Sequence, residues 1–243
     1  MDDAALAVHL ARTAGKLLTT LQADGLIEDK ALGAAGDAVA HQYLVRALAA
    51  QRPEDGLLSE EGAADPARLA QLRVWIVDPL DGTREYSERR TDWAVHVALC
   101  VDGAPTVGAV ALPGLELILS SHSPTPLPAP QAGPLRMLVS RTRPAPQALQ
   151  VAEILGAELV PMGSAGAKAM AVLRGEAEIY LHAGGQYEWD SCAPAAVAQA
   201  AGLHVSRIDG SACRYNNEDP YMPDFLVCRP ELADRVLQAI CAS

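Results

Sequence analysis

Residues 75–83 read Trp-Ile-Val-Asp-Pro-Leu-Asp-Gly-Thr, and this segment is the most informative part of the chain. The apolar residues before Asp78 predict a buried strand, and Pro79 and Gly82 predict a tight turn that carries Asp81. Two carboxylates on such a turn can meet at one hard cation, because Mg²⁺ prefers oxygen ligands and keeps waters for a phosphate. The alternative is a solvated turn that binds nothing.

The turn also offers backbone groups to an anion. Because glycine has no side chain, the N–H groups of Gly82 and Thr83 can approach a phosphate oxygen closely. Two more acidic segments lie at predicted element ends, the pair Glu60-Glu61 after an apolar run and Asp190 at the start of an alanine-rich helix. Several carboxylate clusters are what a multi-metal phosphoryl-transfer site requires.

These three acidic segments together resemble the inositol monophosphatase superfamily of Mg²⁺-dependent, lithium-sensitive phosphatases. The family signature is a Glu-Glu pair, then Asp-Pro-(Ile/Leu)-Asp-Gly-Thr, then a distant Trp-Asp, and all three occur here in that order. The resemblance covers nearly the whole chain. It implies a layered α-β-α-β-α sandwich, two or three bound Mg²⁺ ions, and inhibition by Li⁺.

Smaller details favour the 3′(2′),5′-bisphosphate nucleotidase branch. Residues 84–86 read Arg-Glu-Tyr, where that branch typically has Lys-Glu-Phe or Lys-Glu-Tyr and the inositol branch has Thr-Asn-Phe. Residues 139–141 and 184–195 also resemble that branch. The resemblance implies hydrolysis of the 3′-phosphate of adenosine 3′,5′-bisphosphate to AMP and phosphate, with 3′-phosphoadenylyl sulfate as a second substrate. Such an enzyme removes a by-product of sulfate assimilation.

Three alternatives bear on this interpretation. One is a phosphatase for inositol 1-phosphate or fructose 1,6-bisphosphate, and another is a metal-dependent phosphoester-binding protein with little catalysis. The third, a haloacid dehalogenase phosphatase with its nucleophilic Asp-x-Asp-Gly-Thr, is excluded because Pro79 and Leu80 both separate the aspartates. On a strand that extra residue turns the second side chain to the opposite face. We therefore expect a metal-activated water and no phospho-enzyme.

The resemblance implies roles for individual residues. The implied metal ligands are Glu60, Asp78, the Leu80 carbonyl, Asp81 and Asp190. Glu60 and Thr83 would hold the attacking water, and Asp37 would hold the Thr83 hydroxyl. The family commonly has Asp-x-Val-Thr-x-x-Asp before this point, whereas residues 30–37 read Lys-Ala-Leu-Gly-Ala-Ala-Gly-Asp. The third metal therefore stays open, and a helix N-cap is the alternative role for Asp37.

Predicted substrate contacts surround these acids. They comprise Glu60, Leu80, Asp81, Gly82, Thr83, Arg84, Ser140, Arg141, Ser164, Lys168 and Asp190. Ser164 opens a predicted helix whose free N–H groups and Lys168 can hold an anion, the alternative being a simple capped helix. Arg141 suits bidentate phosphate recognition, the alternative being an ordinary exposed arginine.

Four ring side chains lie near these motifs. His96 is expected to be structural, whereas substrate contact and strand-end packing stay open for His182. Tyr187 and Trp189 flank Asp190, and we expect them to pack, with base stacking as the alternative.

Composition narrows the partners. The net charge of −11 over 243 residues argues against a nucleic-acid polymer or an anionic membrane as a ligand. A small nucleotide stays compatible, because bound Mg²⁺ would reverse the local sign of the site. No apolar stretch predicts a membrane span, and the five cysteines have no metal-site spacing, so we expect reduced thiols in the cytoplasm. A homodimer is a further expectation from the resemblance.

The hydrophobic pattern divides the chain at a proline-rich stretch, 122–134. Residues 1–133 predict helices over 3–24 and 37–50 beside an antiparallel sheet of strands 74–77, 93–101, 106–112 and 115–120. Residues 134–243 predict a smaller α/β layer, since strands and helices alternate there. The expected strands are 135–139, 157–161, 177–182, 203–207 and 225–228, and the expected helices are 145–156, 165–174, 190–201 and 230–241. The active site is expected between the two halves.

Overall fold

The computed structural model describes residues 1–63 and 65–243 and contains two five-stranded sheets with helices on their faces. The first half consists of α1 (Asp3–Asp24), α2 (Asp29–Gln51), β1 (Gly56–Ser59), β2 (Arg73–Asp81), α3 (Thr83–Ser87), β3 (Ala94–Val101), β4 (Ala104–Leu112) and β5 (Leu117–Ser120). The second half consists of β6 (Arg136–Ser140), α4 (Pro146–Leu155), β7 (Glu158–Met162), α5 (Ala165–Leu173), β8 (Ile179–Tyr187), α6 (Glu188–Ala200), β9 (His204–Ser206), β10 (Tyr221–Cys228) and α7 (Ala233–Cys241). Short 3₁₀ turns occupy Pro66–Ala70, Pro113–Leu115 and Pro230–Leu232.

Side chains that alternate between the two faces of each strand pack the sheets against the helix layers. Trp75 and Val77 of β2 face α1 and α2, whereas Val74 and Ile76 face a central layer that includes α5 and α6. The far face of the second sheet packs against α4 and α7. The order of layers is therefore α-β-α-β-α, which confirms the expected sandwich. The central core draws residues from both sides of the proline-rich stretch, and the division into two subdomains stays a prediction.

The first sheet differs from expectation in one pairing. Its order is β1-β2-β3-β4-β5, and β1 runs parallel to β2 while the other pairs are antiparallel. The four strands predicted for this sheet pair antiparallel as expected, and β1, which the sequence pattern did not predict, adds the parallel pair. A parallel pair needs a crossover between its strands, and residues 60–72 with their 3₁₀ turn supply it here. The second sheet has the order β7-β6-β8-β10-β9.

Helix α2 begins at Asp29, eight residues before the predicted start, so the N-cap role for Asp37 is wrong. The glycines near its beginning allow close packing and do not break the helix. A Cβ on Gly33 would lie 2.6 Å from Oγ of Ser87, and one on Gly36 would lie 2.9 Å from the ring of Tyr86. Asp37 therefore projects from a helix that lies directly against α3. In the part of the chain that the structure describes, no helix is long and apolar enough to cross a membrane.

Candidate active site

A bulge in β2 brings the two motif aspartates together. Asp78 pairs with His96 of β3 and Asp81 pairs with Ala94, so β2 has one extra residue across this step. In a regular strand without a bulge, side chains three positions apart point to opposite faces. One ligand atom each from Asp78, Asp81 and His96 lies within 4.8 Å of the others. The solvated-turn alternative is wrong, because both carboxylates are buried.

Asp81 is held by the beginning of α5. Its carboxylate accepts hydrogen bonds from Ser164 Oγ at 2.6 Å, from the Ala165 N–H at 3.1 Å and from the Gly166 N–H at 2.7 Å. Burial raises the pKa of Asp81, but pairing with His96, the Ser164 bond and the charge of Lys168 outweigh burial and lower the pKa to about 2. Asp81 is therefore a fixed anion at neutral pH.

The pKa values of the other three acids of the cluster are raised, whereas that of Asp81 is lowered. Burial and the negative charges of its neighbours raise the pKa of Asp78 well above its usual range. Burial, and then the charges of Asp81 and Glu60, raise the pKa of the half-buried Asp190 to about 7. Glu60 is exposed as a residue, but desolvation of its carboxyl group among these acids raises its pKa to about 7. The negative charges of these three acids are therefore not compensated as the charge of Asp81 is.

A divalent cation fits this donor set. Carboxylate oxygens converge from three separate parts of the chain, and their mutual repulsion is what a bound cation removes. The structure brings together Glu60, Asp78, Asp81 and Asp190 as the motifs suggested, and Leu80 lies between the two aspartates of the bulge. Their role as metal ligands stays a prediction.

His96 lies within the cluster, which the sequence pattern did not indicate. Its ring is fully buried, with Nδ1 2.9 Å from the Trp189 carbonyl and Nε2 3.2 Å from Oδ2 of Asp81. The contact at Nε2 does not meet hydrogen-bond geometry. Burial lowers its pKa, but Asp81 outweighs burial and raises it. A Cβ on Gly166 would lie 2.0 Å from Nε2, so only glycine fits there.

Thr83 and Asp37 meet where α2 packs against α3. Thr83 Oγ1 donates to the Leu80 carbonyl at 3.2 Å, and the same hydroxyl lies close enough to the Asp37 carboxyl group to oppose the rise of its pKa. Oδ1 of Asp37 is buried without a hydrogen-bond partner. Burial and the charge of Glu61 raise the pKa of Asp37 to about 7 against the effect of Thr83. The arrangement places a proton acceptor beside a hydroxyl at the rim of the acidic cluster.

The predicted phosphate-binding cations occupy different environments. Lys168 is buried, and its Nζ donates to the carbonyls of Gly163 at 3.0 Å and Ser164 at 2.7 Å. Burial lowers the pKa of Lys168. Its main contacts are therefore to the start of α5, and its contact with substrate stays a prediction.

Arg141 of the second half forms salt bridges with one acid in α3 and one that follows it. Its Nη2 lies 2.8 Å from Glu85 and 2.8 Å from Glu88. The neighbouring Ser140 Oγ accepts from the Arg143 N–H at 3.2 Å. Arg84 is exposed and borders an open cavity of about 820 Å³ that Thr83 also lines. The substrate roles of Ser140, Arg141 and Arg84 stay predictions.

Gly82, directly after Asp81, packs against the start of α5. Its φ of +92° is a conformation that favours glycine, and a Cβ there would lie 3.2 Å from Cβ of Ser164.

His182 is half-buried, and its Nε2 lies 2.6 Å from the Gly184 carbonyl. Burial lowers the pKa of His182 to about 4, so its ring is neutral at pH 7.

A buried polar clasp, which no motif indicated, holds the segment that carries Asp190. Glu188 is fully buried at the first turn of α6 and accepts the backbone N–H groups of Asn216 at 2.7 Å and Asn217 at 2.8 Å. Arg68, from the crossover after Glu60, donates to the Asn216 side chain at 2.6 Å and to the Asn217 carbonyl at 2.8 Å. The clasp links the crossover to the start of α6.

Comparisons with known proteins agree with this geometry. The model of the family described as "Inositol monophosphatase family" matches residues 2–243. A 3′-phosphoadenosine 5′-phosphate phosphatase of Mycobacterium leprae is 48% identical over 99% of this chain and 94% of its own length. The protein of the same name from Mycobacterium bovis is 50% identical over 93% of this chain and 89% of its own length.

A solved structure gives the same result. The crystal structure of CysQ from Bacteroides thetaiotaomicron, a bacterial member of the inositol monophosphatase family, superposes with a TM-score of 0.79 at 27% identity. The match covers 93% of this chain and 97% of that one. The similarity therefore extends over both sheets and over every acidic segment of the site.

Proposed function

Because the chain belongs to the inositol monophosphatase family, we propose that it hydrolyses the 3′-phosphate of adenosine 3′,5′-bisphosphate to AMP and phosphate. The observation that carries this function is near-full-length similarity to phosphatases named for that substrate, in a chain whose structure assembles four acids at one site. The chain is accordingly a phosphoric monoester hydrolase. The sulfated analogue of adenosine 3′,5′-bisphosphate, 3′-phosphoadenylyl sulfate, is a second substrate in this proposal.

Mg²⁺ is the cofactor that suits these donors. Glu60, Asp78, the Leu80 carbonyl, Asp81 and Asp190 would hold two or three ions, since Mg²⁺ selects oxygen ligands. When bound, the metal lowers the pKa of water and stabilises the charge that develops on phosphate oxygens. Inhibition by Li⁺ belongs to the same proposal.

The remaining chemistry falls to side chains of the chain itself. The Thr83 hydroxyl orients the attacking water, and Asp37, whose carboxyl group lies beside that hydroxyl, positions it. Glu60 holds the attacking water together with Thr83 and is the candidate acceptor for its proton. The N–H groups at Gly82 and Thr83 orient the phosphate, because no side chain at Gly82 blocks their approach.

The charge of the molecule suits a small ligand. A net charge of −11 opposes binding of nucleic-acid polymers and anionic membranes, whereas bound cations would attract a bisphosphate locally. We place the activity in the cytoplasm, where the five cysteines would stay reduced. A homodimer is the expected assembly by resemblance to the family.

Product analysis tests this function. The protein is incubated with adenosine 3′,5′-bisphosphate and Mg²⁺, and the nucleotide products are separated by chromatography. AMP and phosphate in equal amounts, and none after EDTA treatment, are expected. Adenosine 3′-monophosphate as the product would contradict the proposed position of cleavage, and undiminished release in EDTA would contradict the metal site.

A further inference from the structure

Three aromatic rings form an exposed surface beside Asp190, which we call the aromatic wall: Tyr187, Trp189 and Tyr221. The rings of Tyr187 and Trp189 are stacked, with centroids 4.9 Å apart and planes 10° apart. Tyr221 meets Tyr187 edge to face at 5.9 Å. Tyr187 is 41% exposed and Tyr221 is 42% exposed.

The aromatic wall is fixed relative to the acidic cluster. The backbone N–H of Tyr187 donates to Oδ2 of Asp190 at 2.7 Å. Tyr187 and Tyr221 are directly paired across β8 and β10, and the Tyr221 hydroxyl accepts from the Gly185 N–H at 3.2 Å. The innermost ring, Trp189, packs against the central core. The outer rings are therefore tied to paired strands, one of which leads directly into the helix that carries Asp190.

Open space lies next to the aromatic wall. Gly184 and Gly185 have φ values of +83° and +76°, and a Cβ on either would meet no atom within 4 Å. The end of β8 that precedes Tyr187 therefore has no side chain at these two positions, and Tyr187 itself is 41% exposed. A flat ligand could lie on it.

We propose that the aromatic wall stacks the adenine base of the substrate, with Tyr187 as the contacting ring, an inference that rests on the proposed function. The base is joined to the ribose that carries the 3′-phosphate, so a phosphate at Asp190 places the base one sugar ring away. Tyr187 is an exposed ring whose own backbone N–H donates to that acid. An inositol ring has no aromatic face, so the same surface distinguishes nucleotides from inositol esters.

Substitution of Tyr187 tests this assignment. Base–aromatic stacking corresponds to a change of about 5- to 100-fold in affinity. Tyr187→Ala and Tyr187→Leu are expected to raise KM for adenosine 3′,5′-bisphosphate by that factor with kcat nearly unchanged, and Tyr187→Phe is expected to match the wild type. KM for the baseless ribose 3,5-bisphosphate is expected to stay constant in all three. Tyr43→Ala, on α2 in the first half, is the control for loss of a tyrosine ring.

The outcomes separate the aromatic wall from the activity. An equal rise in KM for both substrates, or no rise for the nucleotide in Tyr187→Ala, would overturn the stacking role. Calorimetric titration with AMP is carried out on the same variants and does not require turnover. If the wild type released no phosphate, the proposed function would fail, and weaker AMP binding by Tyr187→Ala but not by Tyr187→Phe would still support stacking. Equal AMP affinity in all variants would contradict it.

Discussion

The hydroxyl of Ser164 donates a 2.6 Å hydrogen bond to the carboxylate of Asp81, from a position 83 residues further along the chain. The bond joins the end of β2 in the first sheet to the start of α5 in the second half. Ser164 also accepts the Ala167 N–H at 2.9 Å, so one side chain caps α5 and anchors a motif aspartate. Its φ of +45° is rare for a residue with a side chain. Such backbone conformations occur most often at functional sites, where the surrounding structure holds them in place.

Loss of this hydroxyl should therefore affect both stability and activity. Ser164→Ala removes a helix cap and a hydrogen bond to a charged group, and we expect a loss of about 1–3 kcal/mol in the free energy of unfolding. Phosphate release should fall as well, because Asp81 loses a fixed partner. Thermal unfolding and activity are measured beside Ser123→Ala, an exposed serine. Unfolding of Ser164→Ala within about 0.5 kcal/mol of that control would contradict the anchor.

Asp190 gives the most selective test of the acidic cluster. Asp190→Asn keeps an oxygen that can accept the Tyr187 N–H but removes the charge that a cation needs. We expect phosphate release to fall at least about 100-fold while the protein stays folded, with a melting temperature no lower than that of the wild type. Asp209→Asn, in an exposed turn, is the matched control. Retained activity in Asp190→Asn would exclude this carboxylate as a ligand.

Asp37 should show opposite effects on catalysis and stability. Asp37→Asn removes the acid that holds Thr83, and positioned acids and bases contribute about 10²- to 10⁴-fold to rates, so we expect kcat to fall by about 100-fold. The same change removes a buried carboxyl whose pKa is raised to about 7, so the metal-free protein should become more stable at pH 8. Thermal unfolding at pH 8 beside the exposed Asp24→Asn checks this. A drop in both quantities would indicate a purely structural role.

The pH dependence of the metal-free protein follows from the same shifts. In the folded protein Asp37, Glu60 and Asp190 have pKa values of about 7, whereas acids in the unfolded chain have pKa values of about 4. Between these values the folded protein binds more protons, so its stability should fall as pH rises from 5 to 8. Asp81 has a lowered pKa of about 2, and its contribution is lost only in more acidic solution.

Thermal unfolding of EDTA-treated protein across this range measures the effect. Mg²⁺ should raise the melting temperature by more at pH 8 than at pH 5, because binding requires deprotonated carboxylates. A melting temperature that is independent of pH without metal, or an Mg²⁺ effect that is larger at pH 5, would contradict the account of the acidic cluster.

The elements and the acidic motifs could be predicted because their signals are local. Helix α1 begins and ends at the residues that its periodicity indicated, Asp3 and Asp24. Pro79 in the bulge and Gly82 just after β2 mark the change of chain direction by their own backbone chemistry. The start of α2 was wrong, because Gly33 and Gly36 resemble helix breakers until their close contacts with α3 are known.

Contacts that depend on tertiary packing could not be predicted. The position of His96 follows from its cross-strand pairing with Asp78, which requires the register of β2 and β3. Lys168 has the spacing of an anion ligand, but burial of α5 directs its ammonium group to backbone carbonyls. The parallel pairing of β1 depends on a crossover whose path no local pattern specifies.

The most direct measurement is phosphate release from adenosine 3′,5′-bisphosphate and from inositol 1-phosphate, side by side, with Mg²⁺ and with EDTA. The account predicts a kcat/KM for the nucleotide that is larger by at least tenfold, and loss of both activities in EDTA. A higher kcat/KM for the inositol ester would contradict the account, because it would leave the acidic cluster in place but remove the nucleotide as its substrate.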